Sequence, residues 1–183
     1  MLKNNKKNIY IIDTDSLAKL GKLQENIFDP IWEYVESMAA EGRLITSVKV
    51  IEEIERKFDR IRKWLTVINE RYQIAYPILP DQVKRIGEIQ EQWRYFVDHE
   101  SEHEDADPYL VTLAEWLMGR EQKTLEDKDV EYYVVTEERI GSEHKNYDNP
   151  CEVTRIPDFC HVLGIKHTNF WGMVELEGWQ WTR

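Results

Sequence analysis

The chain has 183 residues, 42% of them hydrophobic and 11% aromatic, which is enough for one domain with a proper core and excludes intrinsic disorder. Acids outnumber cations 35 to 24, and the net charge of −11 excludes passive nucleic-acid binding through a general basic footprint, though not an enzyme whose carboxylates take up cations. Two cysteines without a C-x-x-C pair exclude a disulfide framework, and the four-residue apolar run near the start is too short for a signal-peptide core, so a soluble cytoplasmic protein with no membrane partner is expected.

In chain order, Asn8 to Ile12 is apolar and β-branched on both faces, as a central parallel strand requires. A loop is expected next. Then "FDPIWEYVESMAAEG" reads as a helix, with Asp29 as cap, Pro30 in its first turn and Gly42 closing it. "RLITS" is a short second strand. Ser47 caps a long helix, "VKVIEEIERKFDRIRKWLTVINERY", whose apolar residues keep helical spacing. "YPILP" breaks the chain. The next helix is expected from about Gln82 to Val97, with Val83, Ile86, Ile89, Trp93 and Phe96 on one face. "HESEHEDADP" is an acidic loop, and Pro108 opens the helix "YLVTLAEWLMGR". "DVEYYVVT" is a strand and "SEHKNYDNPCE" a loop. "IPDFCHVLG" and "HTNFWGMVELEGWQW" are short helices. The alternation predicts an α/β fold in one domain over 1–183, a three-layer α/β/α sandwich around a central parallel sheet.

In such sheets the functional crevice lies beyond the carboxyl ends of the strands. Asp13 ends the first strand. Glu53 lies early in the helix after the second. Asp107 begins the helix after the acidic loop, and Glu138 follows the strand that stops at Thr136. Gathered on one edge, four carboxylates raise one another's pKa values, and a hard divalent cation relieves the conflict. Oxygen ligands alone suit Mg²⁺ or Mn²⁺, and the matching chemistry is phosphodiester hydrolysis. Each acid also has a plainer reading. Asp107 before Pro108 makes a good helix cap. Glu52 competes with Glu53, Glu137 competes with Glu138, and Asp15 is either a partner of Asp13 or a turn residue. No phosphate-binding G-x-x-x-x-G-K-S/T loop, G-x-G-x-x-G turn, H-E-x-x-H or G-x-S-x-G elbow offers another chemistry.

Four stretches, taken in order, resemble the motifs of the PIN-domain nucleases. They are "YIIDTDSL" with Asp13, "ITSVKVIEEIER" with Glu53, "DADPYLVTLA" with Asp107 and Ala114, and "YYVVTEER" with Thr136 and Glu138. The chain is similar, more closely, to a bacterial and archaeal PIN-like family of unknown function, through "DP" and "IWE" near Trp32, "ADP", "VVTEE" and "IPDFC". The resemblance spans nearly the whole chain. It implies an Mg²⁺- or Mn²⁺-dependent ribonuclease, with Asp13, Glu53, Asp107 and Glu138 as metal ligands and Thr136 beside them. It also implies an RNA substrate and the toxin role of a toxin–antitoxin pair, with an antitoxin protein or a second copy of the chain as partner. The alternative is a catalytically inactive PIN-fold binding module. The fourth acid is Glu where Asp is commoner, and the helices between Glu53 and Asp107 are longer than in minimal toxins.

Other residues carry two readings each. The Thr136 hydroxyl orients water or a carboxylate, or only ends a strand. Ser16 hydrogen-bonds near Asp13 or closes a turn. The basic run "RKFDRIRK" grips a nucleic-acid backbone, or is a solvated helix face paired with its own acids; the second is favoured. His99 and His103 have the spacing of a metal pair, within a stretch better read as loop. Cys160 is a small core residue. Trp64, Trp93 and Trp116 fall on apolar stripes. Trp171, Trp179 and Trp181 pack on the domain or form a partner surface.

Overall fold

Tyr10, Ile11 and Ile12 have no solvent exposure, which only a strand covered on both faces allows. They end β1 (Lys7–Ile12), the middle strand of a five-stranded, all-parallel sheet. The other strands are β2 (Leu44–Ser47), β3 (Ala75–Tyr76), β4 (Val130–Val135) and β5 (Lys166–Thr168). Their order is β3-β2-β1-β4-β5. Tyr10 pairs with Leu44 on one side and Tyr133 on the other, and Ile12 pairs with Val135. This is a computed structural model, and it describes residues 7–93, 95–96, 105–121, 130–140 and 145–179.

The helices are α1 (Thr14–Lys22), α2 (Glu25–Ala40), α3 (Val48–Lys57), α4 (Asp59–Tyr72), α5 (Pro80–Gln92), α6 (Asp107–Glu121), α7 (Ile156–Leu163) and α8 (Phe170–Leu176). α1 packs on α3, α4 and α8, while α6 packs on α5, α7 and the strands β1, β2 and β4. The result is the expected three-layer α/β/α sandwich. In α6 the residues Leu110, Val111, Leu113, Ala114 and Leu117 are buried, so the helix is apolar around most of its girth. From β1 the chain builds outward through β2 to β3, then crosses back to β4 and β5. β1 and β4 therefore flank the switch point, and their carboxyl ends form the crevice where such sheets bind ligands.

Several expectations are corrected. The segment after Asp13 is a helix, α1, not a loop; Leu17 and Leu20 are fully buried on it. α2 begins at Glu25 with Gln24 as its cap, and the expected start at Asp29–Pro30 is instead an internal kink at Phe28. The long helix from Val48 is broken at Phe58, whose φ of −135° and ψ of 88° are not helical. On α5, Val83 is 58% exposed and Gln82 is buried in its place, bonded to Tyr109 O (2.7 Å) and Thr112 Oγ1 (3.1 Å). The two short strands β3 and β5 replace what were read as breaks and helix. His99, His103, Val97 and Trp181 lie outside the described residues.

Candidate active site

Asp13 leaves β1 and caps α1. Its Oδ1 accepts the Ser16 amide (2.7 Å), and its own N–H donates to Val135 O (3.0 Å), which ties the carboxyl end of β1 to that of β4. Thr136 follows β4. Its hydroxyl donates to Asp13 and accepts the amide of Glu138 (3.1 Å). One side chain thus links the first and fourth predicted acids. Burial pushes Asp13 up to about 6, against the pull of these hydrogen bonds.

Glu138 is held from the opposite side, with Oε2 accepting the Ile156 amide at the start of α7 (2.7 Å). Burial raises its pKa, the Ile156 bond and Arg155 oppose this, and the charges of Asp15 and Asp105 add to it. Glu53 comes in from α3. Its Oε2 accepts the Thr14 hydroxyl (2.6 Å), and Oε1 pairs with Lys57 one turn on. Burial works to raise its pKa, but Lys57 and Thr14 outweigh that and hold it low.

Asp107 differs from the other three. It starts α6 as the first helical residue, so the capping role expected for it is not what the structure shows; the Asp107 amide donates to Asp105 Oδ1 instead (3.2 Å). The Asp107 carboxylate accepts no hydrogen bond from the described residues. Burial drives its pKa well above the usual carboxylate range, reinforced by the charges of Asp105, Glu138, Asp13 and Glu53. Asp107 thus lies within electrostatic range of the other three predicted acids.

The competing acids are sorted by their partners. Glu52 pairs with Lys49 (3.0 Å) and its side chain is 45% exposed, whereas that of Glu53 is 16% exposed. Glu137 is occupied by Lys19 and by the Phe170 amide that opens α8 (2.9 Å). Asp15 is exposed at the rim and acts on Asp13 and Glu138 only through its charge. Asp105 and Thr14 were missed in the sequence. Both lay in plain sight, Asp105 two places before Asp107 in "DADP" and Thr14 between two acids in "DTD", but neither residue type at that spacing marks its role.

A divalent cation fits the chemistry of this edge. The donors are carboxylate and hydroxyl oxygens, and the Asp107 carboxylate has no counter-charge among the described residues. The geometry is looser: among the described residues, no three His, Cys, Asp or Glu side chains converge into a ready metal cage. Glu53 is meanwhile engaged by Lys57 and Thr14.

The remaining expectations are placed as follows. Cys160 is fully buried, and burial aided by Glu138 pushes its thiol up to about 12; Cys151 is exposed. Trp93 is buried against Phe159, with ring centroids 5.0 Å apart, while Trp64 and Trp116 are only partly buried against the core. Trp179 stacks on Tyr34 at 5.0 Å, and Trp171 is exposed. The "IPDFC" segment supplies a fully buried acid, Asp158, which pairs with Lys145 and accepts the Thr154 amide (3.3 Å). This fixes the chain just before Ile156, the residue that holds Glu138. Among the described residues, no helix is long and apolar enough to cross a membrane.

Residues 10–181 match the family model of a domain of unknown function, DUF4411. The match covers nearly all of the chain, which therefore belongs to that family. No curated protein and no solved structure matches it.

Proposed function

We propose that this DUF4411 chain is a PIN-like, metal-dependent phosphodiester hydrolase acting on RNA. The observation that supports the reading best is the unopposed Asp107 carboxylate, crowded by Asp105, Glu138, Asp13 and Glu53 at the switch point of a parallel sheet. Uncompensated like charge in a partly buried crevice is costly to a fold and is retained where a cation is bound. Asp13, Glu53, Asp107 and Glu138 are the ligands in this reading. When bound, Mg²⁺ or Mn²⁺ supplies Lewis-acid activation of water and neutralises charge on the phosphodiester.

The chain's own residues do the rest. Thr136 keeps Asp13 ionised and oriented by donating to it. The Ile156 amide fixes one oxygen of Glu138, and the other accepts no hydrogen bond from the described residues. Thr14 and Lys57 hold Glu53 charged until it is needed at the site. The toxin role, an antitoxin or second copy as partner, and a cytoplasmic setting belong to the same proposal and rest on the resemblance to PIN-domain nucleases.

The second reading, a catalytically inactive PIN-fold binding module, is favoured by the absence of a ready three-ligand cage among the described residues. Cleavage separates the two. Single-stranded RNA incubated with the protein in Mn²⁺ is expected to be cut by wild type, and to stay intact with EDTA or with Asp13→Asn of unchanged circular dichroism. Intact RNA with wild type in Mn²⁺ across a range of sequences would leave the inactive module as the function.

A further inference from the structure

The break at Phe58 makes a second feature that the acid cluster does not use. α3 stops there and α4 sets off in a new direction, and α1 packs against both. The packing is close because residue 21 is glycine: a Cβ there would come within 2.9 Å of Ile61 Cβ. Between the three helices lies an open groove of about 270 Å³. Ala18, Gly21, Phe58 and Ile61 form its apolar floor, and Lys22, Lys57 and Arg60 its rim.

The charge of this rim is out of keeping with the molecule. Acids outnumber cations 35 to 24 in the chain, yet no acid whose side chain is described lines the groove; the Asp59 side chain lies outside the described ones. A solvated face, the reading favoured from sequence, would mix signs. Its charges would also be spent in pairs. Lys22 has no ion-pair partner among the described residues, and Arg60 reaches only a backbone carbonyl, Leu23 O, at 3.4 Å. Lys57 is shared: it lines the groove and pairs with Glu53 of the acid cluster. The two features are therefore continuous. Asp13 and Lys22 stand at opposite ends of α1, about 13 Å apart by helical rise, a span of a few nucleotides.

We infer that the groove holds the single-stranded RNA flanking the cleaved phosphodiester, with phosphates on Lys22, Lys57 and Arg60 and a base or ribose on the Phe58 floor. Cations around an aromatic, apolar base match an unpaired strand, whose bases are free to reach the floor; a duplex offers only its phosphates. The local positive charge also draws a polyanion toward an edge that would otherwise repel it. The inference rests on the nuclease reading for the word "cleaved", but the groove's affinity can be measured apart from it.

The test is fluorescence anisotropy of a short fluorescein-labelled single-stranded RNA in EDTA, where no metal-dependent cleavage occurs. Wild type, Asp13→Asn and the double variant Lys22→Glu/Arg60→Glu are compared, with thermal melts to show that all are folded. Both substituted cations are exposed, so folding is expected to be unaffected. Wild type and Asp13→Asn are expected to bind alike. The double variant should bind at least tenfold more weakly, with its log–log salt slope reduced by about 1.4. Equal binding by wild type and the double variant overturns the groove and turns its rim toward an acidic protein partner. Failure of wild type to bind at low salt overturns it too. Groove-dependent binding without Mn²⁺-dependent cleavage would sink the nuclease reading and leave the groove standing; Asp13-dependent cleavage with groove-independent binding would do the reverse.

Discussion

The two ends of β1 bury charge in opposite ways. At the amino end, Glu177 accepts from the Tyr10 hydroxyl (2.9 Å) and from Arg43 (2.7 Å), Asn8 donates to Tyr10 (3.1 Å), and Arg43 also reaches Glu41 (2.8 Å). Each charge there has a counter-charge, and burial with Glu177 beside it pushes the Tyr10 phenol far above its ordinary range. At the carboxyl end, acids face acids, and Asp107 has neither a cation nor a hydrogen bond from the described residues. The strand is exposed at Lys7 and fully buried from Tyr10 to Ile12, so the carboxyl-end acids lie deeper and also lack the counter-charges of the amino end. The first cluster holds the fold closed; the second strains it, as the proposed cation site would without its ion.

That contrast can be broken by removing one charge from each end. Glu177→Leu leaves Arg43 short of its main partner and Tyr10 without an acceptor, with side chains only 17% and 12% exposed at the pair. A loss of about 2–3 kcal/mol is expected from urea unfolding, less than a fully buried pair would give. An effect near zero would make the amino-end cluster ornamental.

Asp13→Asn should act with the opposite sign. The folded pKa of Asp13, about 6, lies above its ordinary 3.8, so between these values the folded chain holds a proton that the unfolded chain has released. Wild type thus loses stability as the pH rises through that window, and the variant does not. Asn keeps the oxygen that caps α1. In EDTA the variant is expected to be on the order of 2–3 kcal/mol more stable above about pH 6, with the gain gone below about pH 4. Destabilisation at all pH values would show that the Asp13 charge serves the fold.

The smallest effect is expected from Lys57→Met. Lys57 is 57% exposed, so its pair with Glu53 contributes less than about 1 kcal/mol. Its loss should instead appear as a rise in the Glu53 pKa, read by carboxyl-carbon NMR titration. An unmoved Glu53 would mean that Thr14 alone holds it.

How much of this was legible in the sequence depends on the kind of signal. β1, β4 and α6 were visible because unbroken apolar runs of strand or helix length end in polar punctuation. α1 was hidden, since Asp13 was read for its chemistry and its second use as a cap went unseen. β3 and β5, of two and three residues, are too short to carry a period and exist through pairing with β2 and β4. Val83 and Gln82 exchanged places because hydropathy ranks valine inward, while Gln82 finds Tyr109 O and Thr112 on α6, contacts that no local pattern encodes. Asp13, Asp107 and Glu138 became candidates from their positions at element ends, and Glu53 from its place early in a helix. Choosing Glu53 over Glu52 and Glu138 over Glu137 rests on Thr14, Lys57 and Ile156, which fold topology alone brings together. The apolar spacing runs unbroken through Phe58, so nothing local marks the break or the groove beside it.

The central claim, that the carboxyl edge is kept for a divalent cation, is tested most directly by calorimetric titration of Mn²⁺ into wild type and Asp13→Asn, with circular dichroism to establish that both are folded. Heat of binding in wild type, lost in the folded variant, is the result this account predicts. No binding in wild type, or equal binding in both, would contradict it.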